Sequence, residues 1–147
     1  KAFLSDPAVA STVSAWKRVT TLLVGIGAFP ASPLFAASGN ALDADEEEQL
    51  AKEGAVGEIC LRYFDSSGKE MKHQIEERVI SIDAKTMKKI PRRIAVAGGE
   101  RKLEAIRAAI EGGWVNVLIT DAETARNLLE APRLNIRKVQ KSRPKKT

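Results

Sequence analysis

Between Arg92 and Asp121 the apolar positions change period twice. Ile94, Ala95, Val96 and Ala97 form an unbroken apolar run that stops at Gly98-Gly99. Leu103, Ile106 and Ile110 then recur at intervals of three and four, and after Gly112-Gly113 a second apolar run extends from Val115 to Ile119. The pattern predicts strand, glycine turn, helix, strand. Neither run alternates with polar residues, which suits strands buried on both faces of a parallel sheet, and the span between them demands a crossover. The helix is expected to set Leu103, Ile106 and Ile110 on the sheet with Arg101, Lys102, Glu104 and Arg107 off that face, completing a right-handed βαβ unit.

Other elements follow from the same reading. Ser5-Asp6-Pro7 opens a helix whose apolar face is Val9, Val13 and Trp16, and Thr20 to Ile26 is a buried strand ending at Gly25-Ile26-Gly27. Residues 28–42 hold two prolines and no periodicity, so they are expected to form a loop, either an ordinary surface loop or one folding over a ligand. Asp43 and Glu46 have capping-box spacing before an acidic helix start. Ile59 to Phe64 is expected to be one strand, Asp65-Ser66-Ser67-Gly68 a turn, and Arg78 to Ile82 a second strand. Asp83 caps a short helix stopped by Pro91, and a last helix follows Asp121 and closes at Pro132.

The fold class expected is α/β: a Rossmann-like, mostly parallel sheet with helices on both faces. In such sheets ligands bind beyond the carboxyl ends of the strands, which here carry Gly25 and Gly27, Gly98 and Gly99, and Asp121. Glycine lets backbone approach a ligand closely, and the open N–H groups of the next helix favour an anion, with Lys102 adding charge. The plainer alternative is that these glycines only make turns. The Walker lysine spacing and the GxGxxG fingerprint are both missing, which removes support from P-loop and dinucleotide readings.

Composition alters this picture at one end. The chain has 147 residues and a formal charge of +5, but seven of its 24 basic residues and none of its 19 acidic ones fall in residues 133–147. The rest is faintly acidic, so basicity belongs to a tail, expected to be solvated and disordered, with contact to DNA phosphates as the alternative. One cysteine, Cys60, excludes an intrachain disulfide and is expected to be a buried structural thiol in a reducing cytoplasm. His73, the one histidine, is expected at a solvated loop or edge. The acidic run from Asp43 to Glu48 points in several directions on a helix and does not converge on a metal. No apolar run reaches the length of a membrane span, and the opening residues do not form a signal peptide.

In this order, LLVGIGAF, GAVGEICLRYFDSSG, KKIPRRIAVAGGERKLEAIRAAIEGG and VNVLITDAETARNLLE resemble the effector-binding domain of the SorC family of bacterial sugar-responsive transcriptional regulators. The resemblance runs from Phe3 to Glu130, and its most specific phrases are AVAGGERKLEAI and VLITDAETA. It implies a fold similar to the phosphosugar isomerase, deaminase and CoA-transferase proteins, and a phosphorylated sugar as effector. What is present is similar to the carboxyl-terminal half of that domain, residues 1–132. The helix-turn-helix that binds DNA, and the first half with its glycine-threonine phosphate loop, lie outside it. The resemblance also implies a homo-oligomer, dimer or tetramer; with the cysteine and hydropathy readings above, the expectation is a cytoplasmic protein with no resident cofactor or metal and no membrane.

By the same resemblance Lys102 contacts the sugar phosphate or a hydroxyl, with Gly98 and Gly99 allowing close approach. Glu58 accepts from hydroxyls, Asp121 edges the pocket, and Gly25 and Gly27 shape its floor. Each has a plainer rival: a solvated lysine, a turn acid, a helix cap. Two other functions remain open. A sugar-phosphate isomerase or deaminase of the same fold needs a base such as Glu58 or Asp121, and a flavodoxin-like module needs an aromatic loop that the sequence lacks.

Overall fold

The computed structural model describes residues 2–32 and 42–130. Most of the expected 28–42 loop, and the whole basic tail, lie outside these residues. Helix α1 (Pro7–Ala15) begins as expected: the Asp6 side chain accepts from Ala8 N at 2.8 Å, and proline stands at its start. A 3-10 turn, Trp16–Arg18, leads into β1 (Thr21–Gly25) and, after Ile26, into β2 (Gly27–Ala28). Helix α2 (Ala44–Lys52) carries the full capping box, Glu46 N to Asp43 Oδ1 at 2.8 Å and Asp43 N to Glu46 Oε2 at 3.1 Å. Then come β3 (Ala55–Ile59), β4 (Arg62–Asp65), α3 (Ala84–Lys89), β5 (Arg92–Val96), α4 (Leu103–Glu111), β6 (Val117–Ile119) and α5 (Ala122–Glu130).

The strands form two sheets. β1, β5 and β6 lie parallel in the order β1-β5-β6, with Leu23 beside Ile94 and Ile94 beside Val117. β2, β3 and β4 lie antiparallel in chain order. The expected strand, turn, helix and strand from Arg92 onward are therefore present, and β5 and β6 are parallel neighbours joined through α4. Leu22, Val24, Ala95 and Leu118 on the inner side of the parallel sheet join one core with Ile106, Phe64 and Trp114. Burial on both sides of the strands does not hold among the described residues. The outward residues Leu23, Val96, Val117 and Ile119 are 67%, 52%, 37% and 54% exposed.

Helix α4 packs differently from the expectation. Its buried positions are Ala105, Ile106, Ala108 and Ala109, whereas Ile110 is 42% exposed. The small residues win because they face a second layer: a Cβ on Gly57 of β3 would stand 2.6 Å from the Ala105 Cβ, so strand and helix touch almost backbone to backbone. A period count weighted toward large side chains misses a face built from alanine.

The segment read as one strand, Ile59 to Phe64, is a hairpin turned at Cys60-Leu61. Both turn residues have positive φ, 55° and 59°, as a two-residue type I′ turn requires, yet neither is Gly, Asn or Asp. Leu61 N donates to Glu58 Oε2 at 2.7 Å, and Ser81 Oγ donates to Cys60 O at 2.7 Å, holding the turn from both sides. Cys60 is consequently exposed rather than a buried thiol. Left-handed backbone costs an ordinary residue about 1–2 kcal/mol, and Asn tolerates it. Cys60→Asn is therefore expected to stabilise the chain by about 1 kcal/mol in urea unfolding, and a loss of stability would show that the turn is unstrained.

Two other expectations fail for local reasons. Arg78 to Ile82 is not a strand, because a buried guanidinium takes up its carbonyls: Arg62 donates from Nη2 to Ser81 O at 3.0 Å and from Nε to Ile82 O at 3.3 Å. Arg62 also pairs with Glu76 at 3.2 Å. His73 is 7% exposed, not solvated; its Nδ1 accepts from Ile75 N and caps the 3-10 helix Gln74–Glu77. The turn at Asp65 and the cap at Asp83 form as read, with Ser67 N and Lys69 N donating to Asp65 Oδ1, and Thr86 N donating to Asp83 Oδ1.

Candidate functional site

Three of the anticipated residues converge. β2 pairs with β3 so that Gly27 stands opposite Glu58, and β3 pairs with β4 so that Glu58 stands opposite Tyr63. The Glu58 side chain lies over Gly27, where a Cβ would come within 2.1 Å of Glu58 Oε1. Glycine at this position is what leaves room for the carboxylate. Across from them, the 3-10 turn Glu100–Lys102 opening α4 brings in Arg101 and Lys102. Together with Phe29 and Tyr63 these enclose a cavity of about 210 Å³.

A second, more open concavity of about 470 Å³ adjoins the first. Gly27, Glu58 and Lys102 line both, and the second reaches Leu23, Gly25, Cys60 and Leu61. Glu58 and Lys102 thus sit where the two meet. Gly25, at the end of β1, belongs to the open concavity and not to the enclosed one.

The electrostatics of this pair are opposed. Burial pushes the Glu58 carboxyl above its ordinary range, while the Leu61 N–H and the positive charge of Lys102 pull it back. Glu58 Oε2 is engaged by Leu61, so Oε1 is the oxygen left to accept from a ligand. Burial, with the Glu58 charge behind it, pushes the Tyr63 phenol up to about 12, so it stays a hydroxyl donor at any ordinary pH. The Phe29 and Tyr63 rings meet edge to face, centroids 6.0 Å apart, and form an apolar wall. A carboxylate acceptor, a phenol donor, two cations and an aromatic wall suit a small polyhydroxylated anion.

Gly98, Gly99 and Asp121 are brought together as well, but with each other. Gly99 N donates to Thr124 Oγ1 at 2.8 Å and to Asp121 Oδ2 at 3.1 Å, and a Cβ on Gly98 would lie 2.2 Å from that same Oδ2. Asp121 Oδ1 accepts from Thr124 N at 2.8 Å, capping α5. Bonds from the Thr124 N–H and hydroxyl, then Gly99, hold the Asp121 carboxyl down to about 2. The close approach that glycine permits here is to this carboxylate, and the three residues line neither concavity.

Sequence reasoning did not name Tyr63 and Arg101 as site residues; Phe29, Ala31 and Ser32, which line the enclosed cavity with them, fall in the 28–42 segment expected to be either a surface loop or one folding over a ligand. Tyr63 was legible only to a reader who placed the hairpin turn at Cys60-Leu61, since that turn sets it opposite Glu58. Among the described residues, no group of three or more His, Cys, Asp or Glu is placed to hold a metal ion, and no helix is long and apolar enough to cross a membrane.

Comparison with known proteins gives a consistent outcome. Residues 1–130 match the family described as "putative sugar-binding domain". The chain is 42% identical over 85 residues to the deoxyribonucleoside regulator of Bacillus subtilis, covering 58% of this chain and 27% of that protein. Among solved structures, a transcriptional regulator from Streptococcus pneumoniae superposes with a TM-score of 0.76 at 36% identity, covering 87% of this chain and 48% of that one. The full-length sorbitol operon regulator SorC from Klebsiella pneumoniae superposes with a TM-score of 0.78 at 27% identity, over 88% of this chain and 41% of that one. The chain thus spans about a quarter of the curated relative and under half of either solved regulator.

Proposed function

The chain belongs to the sugar-binding domain family of SorC-type bacterial transcriptional regulators, and from that premise we propose that it senses a phosphorylated sugar and passes occupancy on to operator binding. The observation that carries the reading is the convergence of Glu58, Lys102 and Arg101 on one cavity walled by Phe29 and Tyr63. Lys102 and Arg101 take the phosphate, Glu58 Oε1 accepts from a sugar hydroxyl, and the Tyr63 hydroxyl donates to a ring oxygen. Gly27 leaves Glu58 its place, and Gly25 floors the open concavity. Gly98, Gly99 and Asp121 act at one remove, as a clamp that fixes where Lys102 begins its helix.

No covalent step is involved. The effector binds one arrangement of the regulator better than another, and operator affinity changes by that difference in free energy. DNA is contacted through a helix-turn-helix elsewhere in the regulator, which acts in the cytoplasm as a homo-oligomer. Measurable turnover of a sugar phosphate by the protein would reverse the choice of sensor over isomerase.

The test is a thermal melt with sugar phosphates and their unphosphorylated parents, repeated on Lys102→Ala. Effector at a hundred times its dissociation constant stabilises by about 2.7 kcal/mol, a rise of several degrees. The expected result is a phosphate-dependent rise lost in Lys102→Ala. A rise that ignores the phosphate, or survives the substitution, would refute the assignment of Lys102, and a melt that no sugar phosphate moves would refute a complete site within these residues and pass the search to the full-length regulator.

A further inference from the structure

The end of the parallel sheet opposite the cavity is basic. Lys17 and Arg18 stand just before β1, Lys88 and Lys89 end α3, and Arg92 and Arg93 open β5. The chain holds these segments side by side. Arg92 N donates to Thr20 O at 3.3 Å, Asn116 N to Arg93 O at 2.9 Å, and Asn116 Nδ2 to Pro91 O at 2.7 Å, tying the amino ends of all three strands together. Lys17 and Lys89 line one concavity of about 320 Å³ with Trp16 and Thr86 between them.

Lys17, Arg18, Lys89 and Arg92 are exposed and make no ion pair with any described residue. Lys88 lies over the Trp114 ring, and the Arg93 guanidinium is turned to Ile90 O. The acidic side chains near this end are fewer than the cations: Glu111 and Glu130 finish α4 and α5, Asp83 caps α3 and shares a concavity with Lys17 and Thr86, and Glu70 faces Lys88.

Topology also brings the ends of two helices to the same place. Gly99 bonds Thr124 near the start of both α4 and α5, and Arg107 Nη2 donates to Asn127 O further along, so the two helices run side by side in one direction. α4 returns the chain to the amino ends of the strands, and α5 therefore ends there too.

We infer that this end of the molecule is a second binding surface, one that takes the phosphate backbone of duplex nucleic acid without reading its sequence. Cations drawn from three elements and spread over a broad end suit a uniformly charged cylinder better than a single small anion. Phosphate bonds of this kind position a duplex and carry no sequence information. The surface lies across the sheet from the effector cavity, so both can be occupied at once. It does not depend on the sugar reading, which the melts with Lys102→Ala test separately.

The experiment is fluorescence anisotropy of a labelled random-sequence duplex against the 147-residue chain, across about 50–200 mM salt. It is repeated on Lys17→Glu/Arg18→Glu/Lys89→Glu and on the neutral Lys17→Gln/Arg18→Gln/Lys89→Gln. The wild-type chain is expected to bind with log K falling linearly against log salt, and the slope to shrink by about 0.9 for each phosphate that a variant no longer neutralises. Both triple variants should melt as the wild type does, because these side chains are exposed and unpaired. An unchanged slope in both variants would assign DNA binding to the tail alone and overturn the surface. So would failure of the wild type to bind DNA while it binds polyglutamate or anionic vesicles.

Discussion

Trp114→Ala is expected to remove about 3–5 kcal/mol of stability. Trp114 is fully buried after the Gly112-Gly113 turn, tilted against Phe64 with centroids 5.1 Å apart, and covered by Lys88 Nζ 4.3 Å from the ring centre. Its Nε1 donates to Gly68 O at 2.7 Å. That bond joins two backbones already touching: a Cβ on Gly68 would lie 2.1 Å from Ala108 O and 2.5 Å from Gly112 Cα. Alanine would leave a cavity between the sheets and strip Gly68 O of its partner. Trp114→Phe keeps most of the packing and loses the bond, so it should cost about 1–3 kcal/mol. Equilibrium urea unfolding separates the two, and equal losses for both variants would mean that the hydrogen bond, not the volume, dominates.

Glu58→Gln is expected to divide stability from binding. In the wild type the folded-state pKa lies above the ordinary value of 4.5, so the folded chain holds its proton more firmly than the unfolded one. Stability therefore falls as pH rises from about 4.5 through the folded-state value, and the cost persists above it. Glutamine keeps the volume and an oxygen for Leu61 N–H without the buried charge. The variant should be more stable than wild type at neutral pH and flat across that interval. Effector affinity should move the other way. A hydrogen bond to an ionised group contributes about 1.5–3 kcal/mol, so binding is expected to weaken roughly ten- to a hundredfold. Wild-type affinity should rise with pH over the interval in which its stability falls. Calorimetric titration at several pH values, beside urea unfolding, tests both halves, and undiminished affinity in Glu58→Gln would remove Glu58 from the site.

What the sequence disclosed divides along physical lines. Elements declared by short-range chemistry were legible: the caps at Asp6, Asp43 and Asp83, the turn at Asp65, and the strand, glycine turn, helix and strand around α4. The hairpin at Cys60-Leu61 was not, because its residues belong to none of the types that favour positive φ; it is held by Glu58 and Ser81 from outside the turn. The missing strand at Arg78–Ile82 has the same origin, since Arg62, a residue distant in sequence, takes the carbonyls a ladder would use. Of the candidate site, Gly27, Glu58 and Lys102 were found by strand ends and resemblance, and they do surround one cavity. Tyr63 was missed because its placement depends on cross-strand register, whereas Phe29 fell within the 28–42 loop read as either an ordinary surface loop or one folding over a ligand. Gly98, Gly99 and Asp121 were expected at strand ends as ligand contacts, whereas in the structure they meet one another, Gly99 N–H donating to Asp121 Oδ2, and line neither concavity.

Helix α4, with its alanine face, has a mechanical side. It is about 14 Å long at 1.5 Å per residue, with Lys102 at the cavity end and Gly112 near the basic end. Its two bearings are close backbone approaches, Ala105 on Gly57 and Ala108 with Gly112 on Gly68, where no flexible side chain can absorb movement. A rod seated on such bearings has little freedom to slide or roll, so the height at which Lys102 stands over the cavity is set by the alanines and glycines one and three turns away, not by its own side-chain contacts.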